Sequence, residues 1–311
     1  MSGIRDVSKP TIVLKGITAW ERNNIHSAGF QLFKKKIDAF GNGHIKIEYA
    51  GGPEAIPTYS QGEAIQAGIA DFAILSTAYY SHLVPEGTVL NYSELSVEEE
   101  WKNGALHFMN EIHNQKLNAQ FLGRANGMRC SLYVNKPVQN INELKGKRFR
   151  ATVSYLPFLD ALGAEAVIMP ASEACKAIER GVIDGVAWPE GGISELGLLN
   201  QIKYQICPAY YQVDGVMIMN LDKWNQLSKE VQDLINKAAR EVEKDLPKEV
   251  SDYIENEQKT LQEAGIEQIQ LPEREYVKLA YDAAWDWVLT NLPENGKKLT
   301  ELFRKRGVLK C

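Results

Sequence analysis

Ala64-Ile65-Gln66-Ala67-Gly68-Ile69-Ala70-Asp71 returns later in the chain as Ala177-Ile178-Glu179-Arg180-Gly181-Val182-Ile183-Asp184. Each copy reads as a helix end, a Gly and an Asp at the mouth of a strand. Gly68 and Gly181 stand where the residue just past a helix adopts the left-handed conformation, which glycine reaches without steric cost. One such junction occurs in any α/β protein. Two copies, each followed by an apolar run, predict two similar α/β lobes in one chain.

Working outward, Thr11-Ile12-Val13-Leu14-Lys15-Gly16-Ile17 is rich in β-branched residues and precedes a helix from about Asn23-Asn24 to Phe40, with Phe30, Phe33 and Ile37 at helical spacing. Ile45-Lys46-Ile47-Glu48-Tyr49 alternates as a half-buried strand and Gly51-Gly52-Pro53 closes it. Helical signal returns over Ser60 to Ala67, Phe72-Ala73-Ile74-Leu75 reads as a short strand, and Ser96-Val97-Glu98-Glu99 forms a capping box opening another helix. The order β-α-β-α-β predicts a mainly parallel sheet covered by helices. From Ser228 the longest helical stretch carries one apolar stripe, Val231, Leu234, Ile235, Ala238, Val242 and Leu246. Pro247 is expected to kink or break it, after which the pattern resumes to about Ala264 and stops at Gly265. A further helix holding Tyr276, Leu279, Ala283, Trp285 and Trp287 follows, and the tail reads as an all-helical brace across both lobes.

The 311 residues are 44% hydrophobic and 24% charged, which favours two domains. A net charge of -5 with both signs scattered offers no basic stripe for nucleic acid or anionic lipid. No apolar run approaches the roughly 18 residues that span a bilayer. Met1-Ser2-Gly3-Ile4-Arg5 lacks the basic and apolar regions of a secretory signal, so either the protein is cytosolic or a signal has been removed. Cys130, Cys175, Cys207 and Cys311 have neither CxxC spacing nor a neighbouring His, and read as small hydrophobes or bystanders.

Enzyme signatures are missing: no GxGxxG opening a helix, no GxxxxGK(S/T), no HExxH and no GxSxG. His26 reads as a surface or satisfied core residue, and His107 and His113 lie on different sides of a helix, against a shared metal. The informative segment contains Gly127-Met128-Arg129, then Leu144-Lys145-Gly146-Lys147-Arg148-Phe149-Arg150, then Gly163-Ala164 and Met169-Pro170-Ala171-Ser172-Glu173, then Asp184-Gly185-Val186-Ala187-Trp188-Pro189. Phe149-Arg150-Ala151 reads as a short buried strand whose one charge, Arg150, must meet an anion. An acidic residue of the fold and a bound ligand both satisfy that requirement.

The order and spacing of these pieces resemble the solute-binding subunits of tripartite ATP-independent periplasmic (TRAP) transporters, the DctP family, whose members carry LKGxKxR, GAxxxxMPxSE and ALQxGxxDGxExP elements. The likeness extends to the opening strand and the late long helix. It implies an α/β, two-lobed periplasmic-binding-protein fold with a long helix spanning both lobes, lobe I being 1–126 plus 215–255 and lobe II 127–214 plus 256–311. It also implies a monomer in the periplasm that captures a small organic carboxylate by hinge closure and delivers it to TRAP membrane subunits, with no catalysis, nucleic acid, membrane insertion or cofactor. Arg150 matches the arginine that grips the ligand carboxylate bidentately, and Arg129 matches a second arginine near the acid.

Trp188 departs from the Asn of many members. Ala187 stands where members that bind 2-oxo acids with a metal carry a Glu, so no metal is expected. Ala171 replaces a Phe of sialic-acid-type members and opens one wall. Trp20, Tyr79, Tyr80, Tyr155, Tyr210 and Tyr211 lie in segments that face the family's cleft, although any one of them alone reads as core more often than as pocket. With Trp188 they point to an acid with an apolar or aromatic body. Two rivals are a sensor component presenting the ligand to a receptor, and an enzyme on the same scaffold using Asp184, Glu190 and His26.

Overall fold

The computed structural model describes residues 11–125 and 127–305, so the opening Met1–Arg5 segment and Cys311 lie outside the described residues. Its strands, in chain order, are β1 (Ile12–Thr18), β2 (Ile45–Gly51), β3 (Phe72–Leu75) and β4 (Ala119–Arg124), then β5 (Arg129–Val134), β6 (Arg148–Ala151), β7 (Glu165–Ile168), β8 (Gly185–Pro189) and β9 (Tyr204–Gln212), then β10 (Val216–Asn220) and β11 (Glu267–Gln270). They form two sheets, β2-β1-β3-β10-β4 and β11-β9-β5-β8-β6-β7.

The sheets share one plan. In the first, β2, β1 and β3 run parallel, β10 pairs antiparallel with β3, and β4 antiparallel with β10. In the second, β7, β6 and β8 are parallel, β5 is antiparallel to β8, and β9 antiparallel to β5.

The repeat supplies the same joint in each. Gly68 and Gly181 take φ of +70° and +65°. The Asp71 backbone N–H donates to the Lys15 carbonyl at 2.9 Å, and its carboxylate accepts from the Lys15 N–H at 2.8 Å. Asp184 does the same with Arg148, at 2.7 and 2.9 Å. Each Asp therefore locks the start of one parallel strand to its neighbour. A Cβ at Gly181 would meet nothing within 4 Å, and at Gly68 only Asn220 at 3.7 Å. Substituting either with Ala thus carries a backbone cost alone, about 1 kcal/mol in a urea melt, with Asn milder than Ala.

Residues 11–87, 97–125 and 214–249 form one compact unit, and 88–96, 127–213 and 250–305 the other. This differs from the expected partition at 88–96, Asp214 and 250–255. The first of these joins the second unit because Asn91 Nδ2 donates to Ser154 Oγ at 3.2 Å and the Tyr92 hydroxyl to the Ser154 carbonyl at 2.9 Å. Asp214 belongs to the first, where its buried carboxylate accepts from Ser76 Oγ at 2.6 Å and the Thr77 N–H at 2.9 Å.

The helix Lys229–Glu263 runs through Pro247 without a break, so of the two expected outcomes, a kink or a break, the second does not occur. Pro247 is exposed, whereas Val242, Leu246 and Val250 are buried, so packing on both sides outweighs one missing backbone bond. The helix does stop at Gly265, φ +77°, where Ile266 N–H reaches the Leu261 carbonyl at 2.9 Å. Its residues up to 249 belong to the first unit and the remainder to the second.

The tail is not an all-helical brace. β11 pairs parallel with β9, and the helices Glu273–Asn291 and Gly296–Phe303 belong wholly to the second unit. The former buries Tyr276, Ala280, Ala284 and Val288 at four-residue spacing, together with Trp285.

The first unit contains a pH-sensitive joint. The Glu243 carboxylate accepts from the Arg124 N–H at 2.8 Å and Trp101 Nε1 at 3.0 Å and pairs with Arg240 at 2.6 Å. Burial pushes its pKa up to about 7, with Arg240 opposing. A carboxyl raised in the fold stabilises below its ordinary pKa, and that contribution fades as pH rises through about 7. His26 and His113, pushed down to about 4 by burial, act in the other direction, losing stability as pH falls. The difference between wild type and Glu243→Gln isolates the carboxyl. From pH 4.5 to 7.5 the variant should gain on the order of 2–3 kcal/mol relative to wild type in thermal melts, and parallel profiles would refute the assignment.

Candidate functional site

β6 opens after a turn in which Gly146 takes φ +73°. Arg148 and Arg150, two apart on this strand, leave it on one face. Arg148 is closed off by Asp184, Nε to Oδ2 at 3.2 Å, while its Nη2 donates to the Gly181 carbonyl at 2.8 Å. Burial raises the Asp184 carboxyl, but its bonds to Arg148 outweigh this and hold it below the usual range.

Arg150 differs. It is 1% exposed, its Nε donates to the Met169 carbonyl at 3.1 Å, and its guanidinium lies over the Trp188 indole at 5.1 Å. Its buried Nη1 has no hydrogen-bond partner among the described residues, and no carboxylate among them pairs with it. The sheet register explains the stacking. Arg150 pairs with Val186 in the β6–β8 ladder, and Trp188, two further along β8, shares that face. Trp188 is fixed in turn by its Nε1, which donates to the Gly191 carbonyl at 3.2 Å. Ala171 packs on the apolar cluster of Trp188, Val186, Ala174 and Ile178. One face and one N–H of a buried guanidinium are therefore engaged by the protein, and its charge is not. An isolated buried cation is costly, so this arrangement is suited to holding an anion.

The other expected site residues fall in separate places. Arg129 opens β5, exposed, and Glu190 donates its N–H to the Arg129 carbonyl at 2.9 Å. Burial raises the Glu190 carboxyl and the Arg129 charge offsets part of that rise. Tyr155 meets Tyr210 edge-on at 6.2 Å, and the Cys130 thiol, 3.4 Å from the Tyr210 hydroxyl, is pushed up to about 12 by burial. Tyr211 is fully buried at φ +33°, donates to the Ala280 carbonyl at 2.6 Å and packs on Tyr92 and Tyr210 at 4.8 and 5.1 Å. It is core. Tyr80, also fully buried, has its hydroxyl 3.0 Å from His113 Nε2.

Trp20 and Tyr79 belong to the first unit, with their rings 5.9 Å apart, Trp20 tilted on His26 at 5.2 Å and Tyr79 edge-on to Tyr59 at 5.2 Å. Asp184 and Glu190 lie in the second unit and His26 in the first. Cys130, Cys175 and Cys207 are free thiols. Among the described residues no group of His, Cys, Asp and Glu is placed to hold a metal, and no helix is long and apolar enough to cross a membrane.

Sequence reading missed the Met169 carbonyl as the Arg150 partner. Its one signal is Pro170, which keeps the preceding residue extended. It also missed Glu190 as the partner of Arg129.

The fold is that of solved periplasmic solute-binding proteins. A TRAP periplasmic solute-binding protein of Desulfovibrio salexigens with bound orotic acid superposes with a TM-score of 0.83 at 16% identity, over 94% of this chain and 97% of that one. Another, of Desulfovibrio desulfuricans with bound sn-glycerol-3-phosphate, gives 0.84 at 19% identity over 96% and 100%. The chain belongs to family 7 of the bacterial extracellular solute-binding proteins, DctP, which matches residues 16–289. It is also similar to the monocarboxylate 2-oxoacid-binding periplasmic protein of Nostoc sp. PCC 7120, 23% identical over 242 residues. That match spans 75% of this chain and 66% of the Nostoc protein, just under two thirds of its length.

Proposed function

We propose that the protein is the extracytoplasmic solute-binding component of a TRAP-type secondary transporter, acting as a monomer that captures a small organic carboxylate and delivers it to membrane subunits without transforming it. The observation that carries this reading is the buried Arg150 guanidinium with Nη1 unpartnered. The ligand carboxylate takes the Nη end, because the Met169 carbonyl occupies Nε and Trp188 covers one face. Trp188 and Ala171 beside it favour an acid with an apolar or aromatic body. Arg129, Tyr155, Trp20 and Tyr79 remain proposed further contacts, and Tyr211 is left out. The orotic acid bound to the Desulfovibrio salexigens protein, and the 2-oxoacid in the name of the Nostoc protein, support the choice of ligand class.

The test is a thermal-shift screen of organic acids against their uncharged amides. At about 100-fold over Kd a true ligand adds about 2.7 kcal/mol of stability, a shift of a few degrees. Acids that shift the melt while their amides do not support the reading. Amides that match their acids would contradict it.

A further inference from the structure

We propose that Glu190 sets the charge of the guest: with Arg129 balanced by Glu190, the second unit's anion site keeps one unbalanced positive charge, on Arg150, and selects monoanions over dianions. This rests on the carboxylate-capture reading above.

β5 and β6 carry three arginines, Arg129, Arg148 and Arg150. Arg148 meets Asp184 at 3.2 Å. Arg129 is set opposite Glu190: Cys130 pairs with Pro189 in the antiparallel β5–β8 ladder, and the ladder continues one step through the 2.9 Å bond from Glu190 N–H to the Arg129 carbonyl. Opposite charges placed directly across two strands attract, and here the Glu190 side chain is half-buried. The Arg129 charge counters the upward push of burial on Glu190, so the two groups are electrostatically coupled. Arg150 has no such partner.

Glu190 is also close to the ligand end of the sheet. It follows β8 two residues after Trp188, the residue stacked on Arg150, and the Cys130 thiol feels the charges of both Arg150 and Glu190. A second negative charge on a guest gripped by Arg150 would meet an Arg129–Glu190 set with no net charge and find no positive charge to balance it. At an effective dielectric near 20, one unbalanced charge within several ångströms changes affinity by about tenfold or more.

The experiment uses matched acids: phenylacetate against phenylmalonate, and 4-methyl-2-oxopentanoate against 2-oxoglutarate. Kd values are measured by calorimetry and thermal shift on wild type, Glu190→Gln and Arg129→Gln/Glu190→Gln. Wild type should bind the monoanion of a pair about tenfold more tightly. Glu190→Gln should shrink that ratio by about tenfold, and the double variant should restore it. The restoration separates a charge effect from a folding defect, which a second substitution would deepen. Equal binding of mono- and dianions by wild type, or a ratio unmoved in Glu190→Gln, overturns the inference while leaving carboxylate capture standing. No binding by any acid overturns carboxylate capture itself.

Discussion

Replacing Arg150 with Met should erase the stabilisation that organic acids give the wild-type protein and leave the ligand-free protein as stable or more stable, by up to about 1–4 kcal/mol. The two effects are opposite because Arg150 is held for a guest. At 1% exposure it has lost its water, and one carbonyl bond with one ring face does not compensate a full charge. Methionine fills similar volume beside Trp188 without a charge to desolvate. If the guanidinium instead held the fold together, the same change would destabilise it by several kcal/mol. Thermal melts with and without acid read both quantities. A variant that keeps its acid-induced shift removes Arg150 from the site.

The second large effect is expected in the first unit. Arg124 on β4 pairs with Glu100 on the helix Val97–Lys102 at 2.7 Å, the two side chains 2% and 0% exposed. The Arg124 bond goes to Glu100 Oε1, and Oε2 has no hydrogen-bond partner among the described residues. Arg124→Met alone strands a buried carboxylate and should cost about 3–5 kcal/mol in urea unfolding. Adding Glu100→Leu removes the stranded charge and should recover most of the loss, since breaking a buried pair costs more than replacing it with apolar groups. A loss under about 1 kcal/mol in the single variant would mean that water reaches the pair.

These contrasting arginines show what sequence can and cannot say. That Arg150 would be buried follows from the apolar residues on either side of it. That it would lack a protein counter-charge does not, because its neighbour Arg148 takes Asp184 through a pairing set by sheet register. The repeated Gly and Asp disclosed two similar sheets, since φ above zero and strand-start bonding are local properties. The exchange of strands between sheets, with β10 returning to the first and β5 beginning the second, depends on long-range pairing that no local pattern encodes, and only the family resemblance implied it.

Tyr211 illustrates the same limit. Beside Tyr210 in the sequence it looks as available to a ligand as any aromatic at a strand end, yet its left-handed backbone turns it into the second unit's core. Pro247 was read by its local penalty, and tertiary packing overrode it. The Met169 carbonyl was invisible for a simpler reason: backbone acceptors leave no residue-type signature.

The claim on which the account depends is that Arg150 grips an anionic guest. Native mass spectrometry of protein purified without denaturation tests it most directly. Wild type should carry, at one per chain, a small organic acid that collisional activation releases as an anion, and Arg150→Met should carry none. A variant that retains the same adduct, or a wild-type adduct that proves to be uncharged, would contradict the account.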